Sequence, residues 1–464
     1  MTLPTSEQLD SLSREELKAL AAELLATVRL LQGRVAELEA ELARRQLPPA
    51  SSRNSSLPPS RDPKADLPGR RRRKLGAKLG HERAVRQLVD DPDQIIEARV
   101  AHCEQCQADL RGVTPRAVVR RQVTEVPEIR PVVIETRQHE VVCPHCQSVQ
   151  RGVLPEALEA AGQVGPRLEA TVVYLKQEQH LSYERVRAAL DDLFGVHLSE
   201  GGVDCILRRA GEAAAPAAAE IKQAVTHSGV IGSDETSARV GGKNWWHWVF
   251  TSAAGTYHTI EPTRSTQVIQ QVMGEQEADC WVSDCYGPQL QAPARCRQVC
   301  LAHQLRDLER VHEAQPRRRW AAEMQGLLRE AIQLGHRREE LTLGGYQRRV
   351  TELENRLDGL LKRPVAGQGA ERLRRRFVKH RDHLLTFLHD PHVPAENNAC
   401  ERALRPSVIH RKVTNGFRSE WGARTYAAVQ TIIATAKQQG RHVFSALVEL
   451  MGKPVLHFLD PSPP

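Results

Sequence analysis

The sequence predicts a multidomain chain of the α+β class, and three observations carry that prediction. Leucines recur every seven residues near the start, two Cys-x-x-Cys pairs follow, and a run of short strand-like segments then carries acids at its middle and its end. The chain has 464 residues, enough for several domains of ordinary size. A formal charge of +8 fits a polyanionic partner. Ten cysteines in a chain with no charged-then-apolar leader argue for reduced thiols or metal ligation, not a disulfide scaffold. No apolar run reaches the roughly 18 residues that a membrane-spanning helix needs, so no membrane span is expected.

Residues 1–46 are expected to form a coiled-coil helix. Ser13 and Glu16 match a capping box. Leu17, Leu24, Leu31 and Leu38 repeat at heptad spacing, with Ala21, Val28, Val35 and Leu42 four residues after each. Leu at d with β-branched residues at a favours a parallel two-stranded coil, so the chain is expected to pair with itself. Gly33 weakens the helix by about 1 kcal/mol. Residues 47–80 read as a linker rich in Pro, Ser and Arg, a composition that cannot bury a core. It contains Arg70, Arg71, Arg72, Arg73 and Lys74, a cationic run suited to phosphate.

Residues 81–155 hold Cys103, Cys106, Cys143 and Cys146. Each pair fits a knuckle, and two knuckles supply four sulfurs for structural tetrahedral Zn2+. The long gap between them carries strand-like segments, Ala117 to Val123 and Pro131 to Val142, so a zinc ribbon fits better than a compact finger. Residues 156–225 read as a helical domain of helix-turn-helix type. Ser182 caps one helix to Phe194, Gly195 to Leu198 turn, and Ser199 caps a second through Ala210 that carries Arg208 and Arg209 toward a major groove. Ala213 to Ala219 reads as a low-complexity bridge.

Residues 226–310 open the core. Ile231 to Val240 alternates as a strand with Asp234 on one face and Glu235 on the other. Gly241-Gly242 turns the chain, and Asn244 to Phe250 and Tyr257 to Ile260 continue the meander. A helix over Ser265 to Met273 leads to a strand, Cys280 to Asp284, that ends in an acid. This is how an RNase H-like α/β core begins. A fifth strand, Gln298 to Leu301, and a helix from Ala302 to Arg310 follow. Residues 311–392 are expected to be a helical insertion over the site. Residues 393–440 return to the core with Glu401 on a helix, the basic loop Arg411 to Arg418, and a last helix from Gly422 to Gln439. Residues 441–464 form a tail. Trp245, Trp246 and Trp248 alternate faces, so some are core residues and outward ones could stack on bases.

Carboxylates from three separate elements suit a hard divalent ion, and two such ions suit attack on an anionic phosphodiester. Further motifs narrow the reading. Ser51-Ser-Arg-Asn-Ser-Ser56, the paired Cys-x-x-Cys, Leu181-Ser-Tyr-Glu-Arg185, Asp234-Glu-Thr236 and Cys300-x-Ala302-His303-x-x-Arg306 lead the set. Asn397-Asn398-x-x-Glu401-Arg402-x-x-Arg405 and Gly416-Phe-Arg-Ser-Glu420 complete it. In this order the set resembles the IS66 family of bacterial DDE transposases over nearly the whole chain. The resemblance implies Asp234, Asp284 and Glu401 as the catalytic triad holding two Mg2+ (or Mn2+) ions, with Cys300, His303, Arg306, Asn398 and Arg402 beside it. It implies DNA as partner, both transposon ends and target, with contacts from Arg405, Arg411, Lys412 and Arg418. It also implies accessory proteins of the same element and a nucleoid-associated, cytoplasmic bacterial location. The family often carries His-Asp-Gly around the second acid, whereas this chain has Ser283-Asp-Cys-Tyr286; the acid itself is kept. Glu396 is the alternative to Glu401. Two other readings are a zinc-ribbon DNA-binding regulator derived from a transposase and an RNase H-like nuclease without strand transfer.

Overall fold

The computed structural model describes residues 13–45, 50–51, 86–154 and 163–452. Arg70 to Lys74, and nearly all of the expected linker, lie outside the described residues. Helix α1 (Arg14–Arg45) starts on its capping box: Ser13 N–H donates to Glu16 Oε2 at 2.8 Å, and Glu16 N–H to Ser13 Oγ at 3.4 Å. Leu17, Leu24, Val28, Leu31 and Val35 remain 41–57% exposed, so the heptad stripe is not covered by the described residues of its own chain.

The cysteine pairs sit in two turns of the same build. Cys103 N–H donates to Ala108 O and Gln107 N–H to Cys103 O; Cys143 N–H donates to Ser148 O and Gln147 N–H to Cys143 O. Gln107 and Gln147 adopt φ of 61° and 59°, closing each turn just past its second cysteine. Strands β1 (Glu140–Val142) and β2 (Val149–Arg151) flank the second pair. The strand expected over Ala117 to Val123 does not form, and only β1 forms within Pro131 to Val142. That stretch runs extended without a ladder, and Val119, Val123 and Val133 are 79%, 93% and 91% exposed. β-Branched content specifies a strand only where a neighbour covers it.

Helix α2 (Pro166–Val173) runs into one π-helical turn, Tyr174–Glu178. Helix α3 (Tyr183–Phe194) is capped by Ser182 and stopped by left-handed Gly195. Helix α4 (Glu200–Thr226) is capped by Ser199 and continues past Ala210, so Ala213 to Ala219 is helix, not a bridge. Ala210, Ala214 and Ala218 recur every four residues and are buried, which gives the helix a small-residue face for packing.

The central sheet has β3 (Val230–Val240), β4 (Lys243–Thr251), β5 (Thr256–Glu261), β6 (Ala278–Ser283) and β7 (Ala294–Val299) in the order β5-β4-β3-β6-β7. β3, β4 and β5 form an antiparallel meander, while β6 and β7 join parallel to β3. Helix α5 (Thr266–Met273) makes the crossover and packs Val268, Ile269 and Val272 on the face holding Ile231, Trp248, Phe250 and Trp281. Trp248 is therefore core, Trp246 lies half-buried beneath Arg264, and Trp245 packs on the opposite face near Tyr426.

The short helix α6 (Gly287–Leu290) precedes β7, and α7 (Leu301–Ala314) follows it. Residues after α7 form α8 (Arg319–His336), α9 (Leu343–Lys362) and α10 (Gln368–Lys379). Their core is continuous with the sheet, since Cys280, Val282, Leu301 and Leu308 join Met324, Leu328, Leu353, Leu357 and Phe377 in one cluster. The insertion is thus packed onto the sheet and α7. Helix α11 (Asn398–Thr414) then crosses β3 and β4, α12 (Glu420–Gln438) packs on α4 and β5, and α13 (Val443–Leu450) closes against α2 and α12. Arg411 and Lys412 belong to the last turn of α11, which shortens the expected basic loop.

The remaining loop is stitched to β3. Phe417 N–H donates to Arg239 O at 2.8 Å and Gly241 N–H to Phe417 O at 2.9 Å. Gly416 reaches this contact at φ 112°, with Arg239 O only 2.6 Å from where a Cβ would stand. Gly416→Ala should cost about 1–3 kcal/mol in strain alone, read as a melting temperature several degrees below wild type. An unchanged melting temperature would mean that the stitch carries no stability.

Candidate active site

Of the three acids, Asp234 lies within β3, Asp284 just past the end of β6, and Glu401 in the first turn of α11. β3 and β6 pair with Gly232 opposite Val282. Asp234 and Asp284 each follow two residues after this last registered pair, Asp284 just past the end of β6. Alternation puts Ser233 and Glu235 on the α5 face and Gly232 and Asp234 on the α11 face, as the sequence pattern predicts. α11 lies close on that face because residue 232 has no side chain. A Cβ there would be 2.9 Å from Thr251 Oγ1, 3.0 Å from Asn397 Oδ1 and 3.2 Å from Cys400 Sγ.

The start of α11 is held by its own backbone and by Asn397. Asn397 N–H donates to Cys300 Sγ at 3.1 Å, its Nδ2 donates to Ser233 O at 2.7 Å, and Leu301 N–H donates to Ala395 O at 2.9 Å. Cys300 N–H donates in turn to Ser283 O at 2.8 Å. These bonds join β3, β6, α7 and α11 at one point, and Glu401 follows in the first turn of α11. Glu401 Oε1 accepts from Arg306 Nη2 at 3.0 Å and lies 3.7 Å from His303 Nε2. The motif residues Cys300, His303 and Arg306 therefore do meet Glu401. Asn398 instead donates to Glu396 Oε2, and Arg402 is exposed beside a cavity that Gly232 and Asn397 also line.

Electrostatics ties the acids together. Asp234 is held well above the usual carboxylate range, first by burial and then by the charges of Glu235, Asp284 and Glu401. Asp284 Oδ1 accepts from Tyr286 N–H at 2.8 Å. The three carboxylates interact, yet they do not all lie within 4.8 Å of one another; among the described residues the set that does is Cys300, His303 and Glu401. Mutual repulsion in a half-buried cluster is what a bound cation would relieve, so the donor set fits hard divalent ions.

The sequence pattern put Glu235 on the far face, but its partners and several other residues that shape this site escaped sequence reading. Glu235 is buried on the α5 face, where Arg264 donates to its Oε1 at 2.7 Å and Gln289 to its Oε2. Arg264 also lies 3.8 Å from the Tyr286 ring centre, and Tyr286 Oη donates to Arg264 O at 2.8 Å. From the insertion, Arg376 donates to Gln304 Oε1 at 2.8 Å and to Asp307 Oδ2 at 2.5 Å, while Gln304 Nε2 donates to Cys285 Sγ at 3.5 Å. α10 is thus tied to the residue after Asp284. No local motif announces these contacts, because each partner lies far away in sequence.

The expected DNA contacts divide in two. Arg402, Arg405 and Lys412 are exposed at helical spacing along α11, and Arg418 is exposed just beyond it. Arg411 instead donates to Ser237 O and Oγ. Arg208 pairs with Asp204 at 2.8 Å and stacks on Trp421, while Arg209 pairs with the fully buried Glu169 at 2.5 Å. Both retain about half their side-chain exposure. The knuckle thiols do not converge: no three of Cys103, Cys106, Cys143 and Cys146 form one ligand set here.

A model of the family described as Transposase IS66 family matches residues 161–425, more than half of the chain. A relative from Sinorhizobium fredii (strain NBRC 101917 / NGR234), whose printed name is Uncharacterized protein y4qI, is 40% identical over 63 residues. That stretch is 14% of this chain and 12% of the relative. No helix among the described residues is long and apolar enough to cross a membrane.

Proposed function

Because this chain belongs to the IS66 family of transposases, we propose that it binds the terminal inverted repeats of an insertion sequence, hydrolyses the 3′ ends and joins them to target DNA. What supports the proposal is that β3 and β6 pair up to Gly232 and Val282, each two residues before an acid, and that α11, which carries Glu401, packs on the same sheet. The order of the sheet supports reading this core as RNase H-like. Asp234, Asp284 and Glu401 would hold two Mg2+ (or Mn2+) ions. When bound, such ions neutralise the attacked phosphate and lower the pKa of a water or 3′-hydroxyl.

The chain's own groups have separable roles. Arg306 and His303 orient Glu401 from one side, and Asn397 fixes the helix that carries it. Arg402, Arg405, Lys412 and Arg418 form a cationic track for the DNA backbone, and each phosphate contact adds about 0.9 to the salt slope of binding. Cys103, Cys106, Cys143 and Cys146 would hold Zn2+. The segment around them buries little of its own, so an ion gathering the two turns would supply the missing folding energy. The uncovered stripe of α1 would pair two chains.

Glu401→Gln tests the reading. It keeps the size and the hydrogen-bonding oxygen but loses the charge. Cleavage and joining of a duplex bearing the terminal repeat should fall by at least about a thousandfold, with DNA affinity unchanged. Cleavage that survives would remove Glu401 from the triad. Cleavage without joined product in the wild-type protein would favour the nuclease, and binding without cleavage the regulator.

A further inference from the structure

Cys300, His303 and Glu401 each place one ligand atom within 4.8 Å of the other two. The 3.7 Å between His303 Nε2 and Glu401 Oε1 is just above the nitrogen–oxygen edge of a tetrahedral zinc site, about 3.3–3.6 Å for bonds of 2.0–2.2 Å. The sulfur is buried at the N-terminus of α7 and receives the N–H of Asn397 at 3.1 Å, with the amides of Ala302 and His303 also directed at it. His303 Nδ1 is buried without a hydrogen-bond partner. A thiolate, an imidazole and a carboxylate are a poor set for magnesium and a good one for zinc. This set is separate from the ribbon cysteines.

We propose that Cys300, His303 and Glu401 form a second divalent-metal site, selective for thiophilic ions of the zinc class, that competes with the catalytic arrangement because both claim Glu401. The inference rests on the triad reading for its consequence, though not for the binding itself. Zinc enters as Zn2+, and the Cys300 thiol releases its proton to solvent as the Zn–S bond forms. No oxidation or reduction takes place. Glu401 then turns toward the sulfur side, Arg306 loses its carboxylate partner, and the acids at Asp234 and Asp284 lose their third member. Zinc would therefore switch the enzyme off while magnesium stays abundant.

The test uses the full chain with all four ribbon cysteines present, so that their zinc is a common background. Zn2+ alone is the probe, titrated against a chelator into wild type, Cys300→Ser and His303→Asn, with thermal melting to check that each is folded. Wild type should bind one more zinc per chain than either variant. In each variant the affinity of that last ion should drop by at least the roughly 10- to 100-fold that loss of even an outer-shell partner costs. Equal zinc counts and affinities in folded protein overturn the site, whatever becomes of the triad. In the second arm, each protein's Mg2+-supported end cleavage is measured with and without zinc, against its own zinc-free rate. Wild type should lose about tenfold or more at saturating zinc, and the variants should lose far less. An extra zinc that leaves wild-type cleavage unchanged overturns the shared use of Glu401.

Discussion

Asp234→Asn should make the metal-free protein more stable and the enzyme inactive. The carboxyl of Asp234 is held well above its usual range by burial, then by Glu235, Asp284 and Glu401. A raised carboxyl pKa means that the folded state binds a proton the unfolded state has already released. Its cost is absent below the ordinary carboxylate range and grows as pH rises toward the folded value. Asparagine has no charge to desolvate, and its Oδ1 can still accept from Glu235 N–H, a bond of 2.9 Å in the parent. Each kcal/mol recovered should raise the melting temperature by about 2–4 °C. The gain should shrink as pH falls toward 4, where wild type is protonated in both states.

Cleavage should meanwhile fall by about 10³–10⁴-fold. The stabilisation of wild type by Mg2+ should be largely lost, because binding raises stability only in proportion to occupancy of the folded state. A variant that is less stable than wild type without metal, at neutral pH, would show that the acids do not repel. A variant that cleaves normally would remove Asp234 from the chemistry. Stabilisation with inactivation is the pattern expected where a site holds strain for function.

The core of this arrangement was legible because its signals are local. Period-2 alternation across Ile231 to Val240 put Asp234 and Glu235 on opposite faces, and Gly241-Gly242 marked the turn into β4. Serines 13, 182 and 199 marked helix starts that the structure retains. What was missed depends on tertiary neighbours. Ala213 to Ala219 reads as low complexity, yet alanine is the best helix former, and Ala214 and Ala218 face into packing while Pro216 faces out. The β-branched stretch at 117–123 has strand composition but no strand beside it. The bond from Arg376 through Gln304 to Cys285 spans the whole insertion and leaves no trace in spacing.

The least legible feature has the largest expected effect on stability. His180 from the loop after the π-helical turn, His247 on β4, His258 on β5 and His410 on α11 lie in the core, each at most 4% exposed. His247 hydrogen-bonds Ser407 through Nδ1 and His258 through Nε2, the latter at 3.0 Å. The His410 ring stacks on Phe417 at 4.6 Å between ring centres and packs against Tyr426. Burial pushes all four below the ordinary histidine range, to about 4 for His180 and about 3 for His258 and His410. Lys176 and Lys437 add repulsion at His180, and Lys176 does so at His410.

A depressed histidine pKa contributes stability that is complete above the unfolded value, near 6.5, and is lost as pH falls toward the folded value. For His180, His258 and His410 the loss at pH 5 is on the order of 2 kcal/mol each, a large share of the stability of an ordinary domain. The core should therefore unfold cooperatively in mild acid, above the range where most carboxylates titrate. His258→Gln isolates the effect, because carboxylates titrate alike in both proteins. The variant should lose stability at pH 7 from imperfect packing. Between pH 6.5 and pH 4, however, its stability should fall less steeply than wild type's, by about 1.4 kcal/mol per pH unit. Parallel denaturation curves across that window would show that His258 charges as freely folded as unfolded. Since α11 carries both Ser407 and Glu401 while His247 and His258 lie on β4 and β5, protonation of this cluster should abolish end cleavage in the same transition that melts the strands.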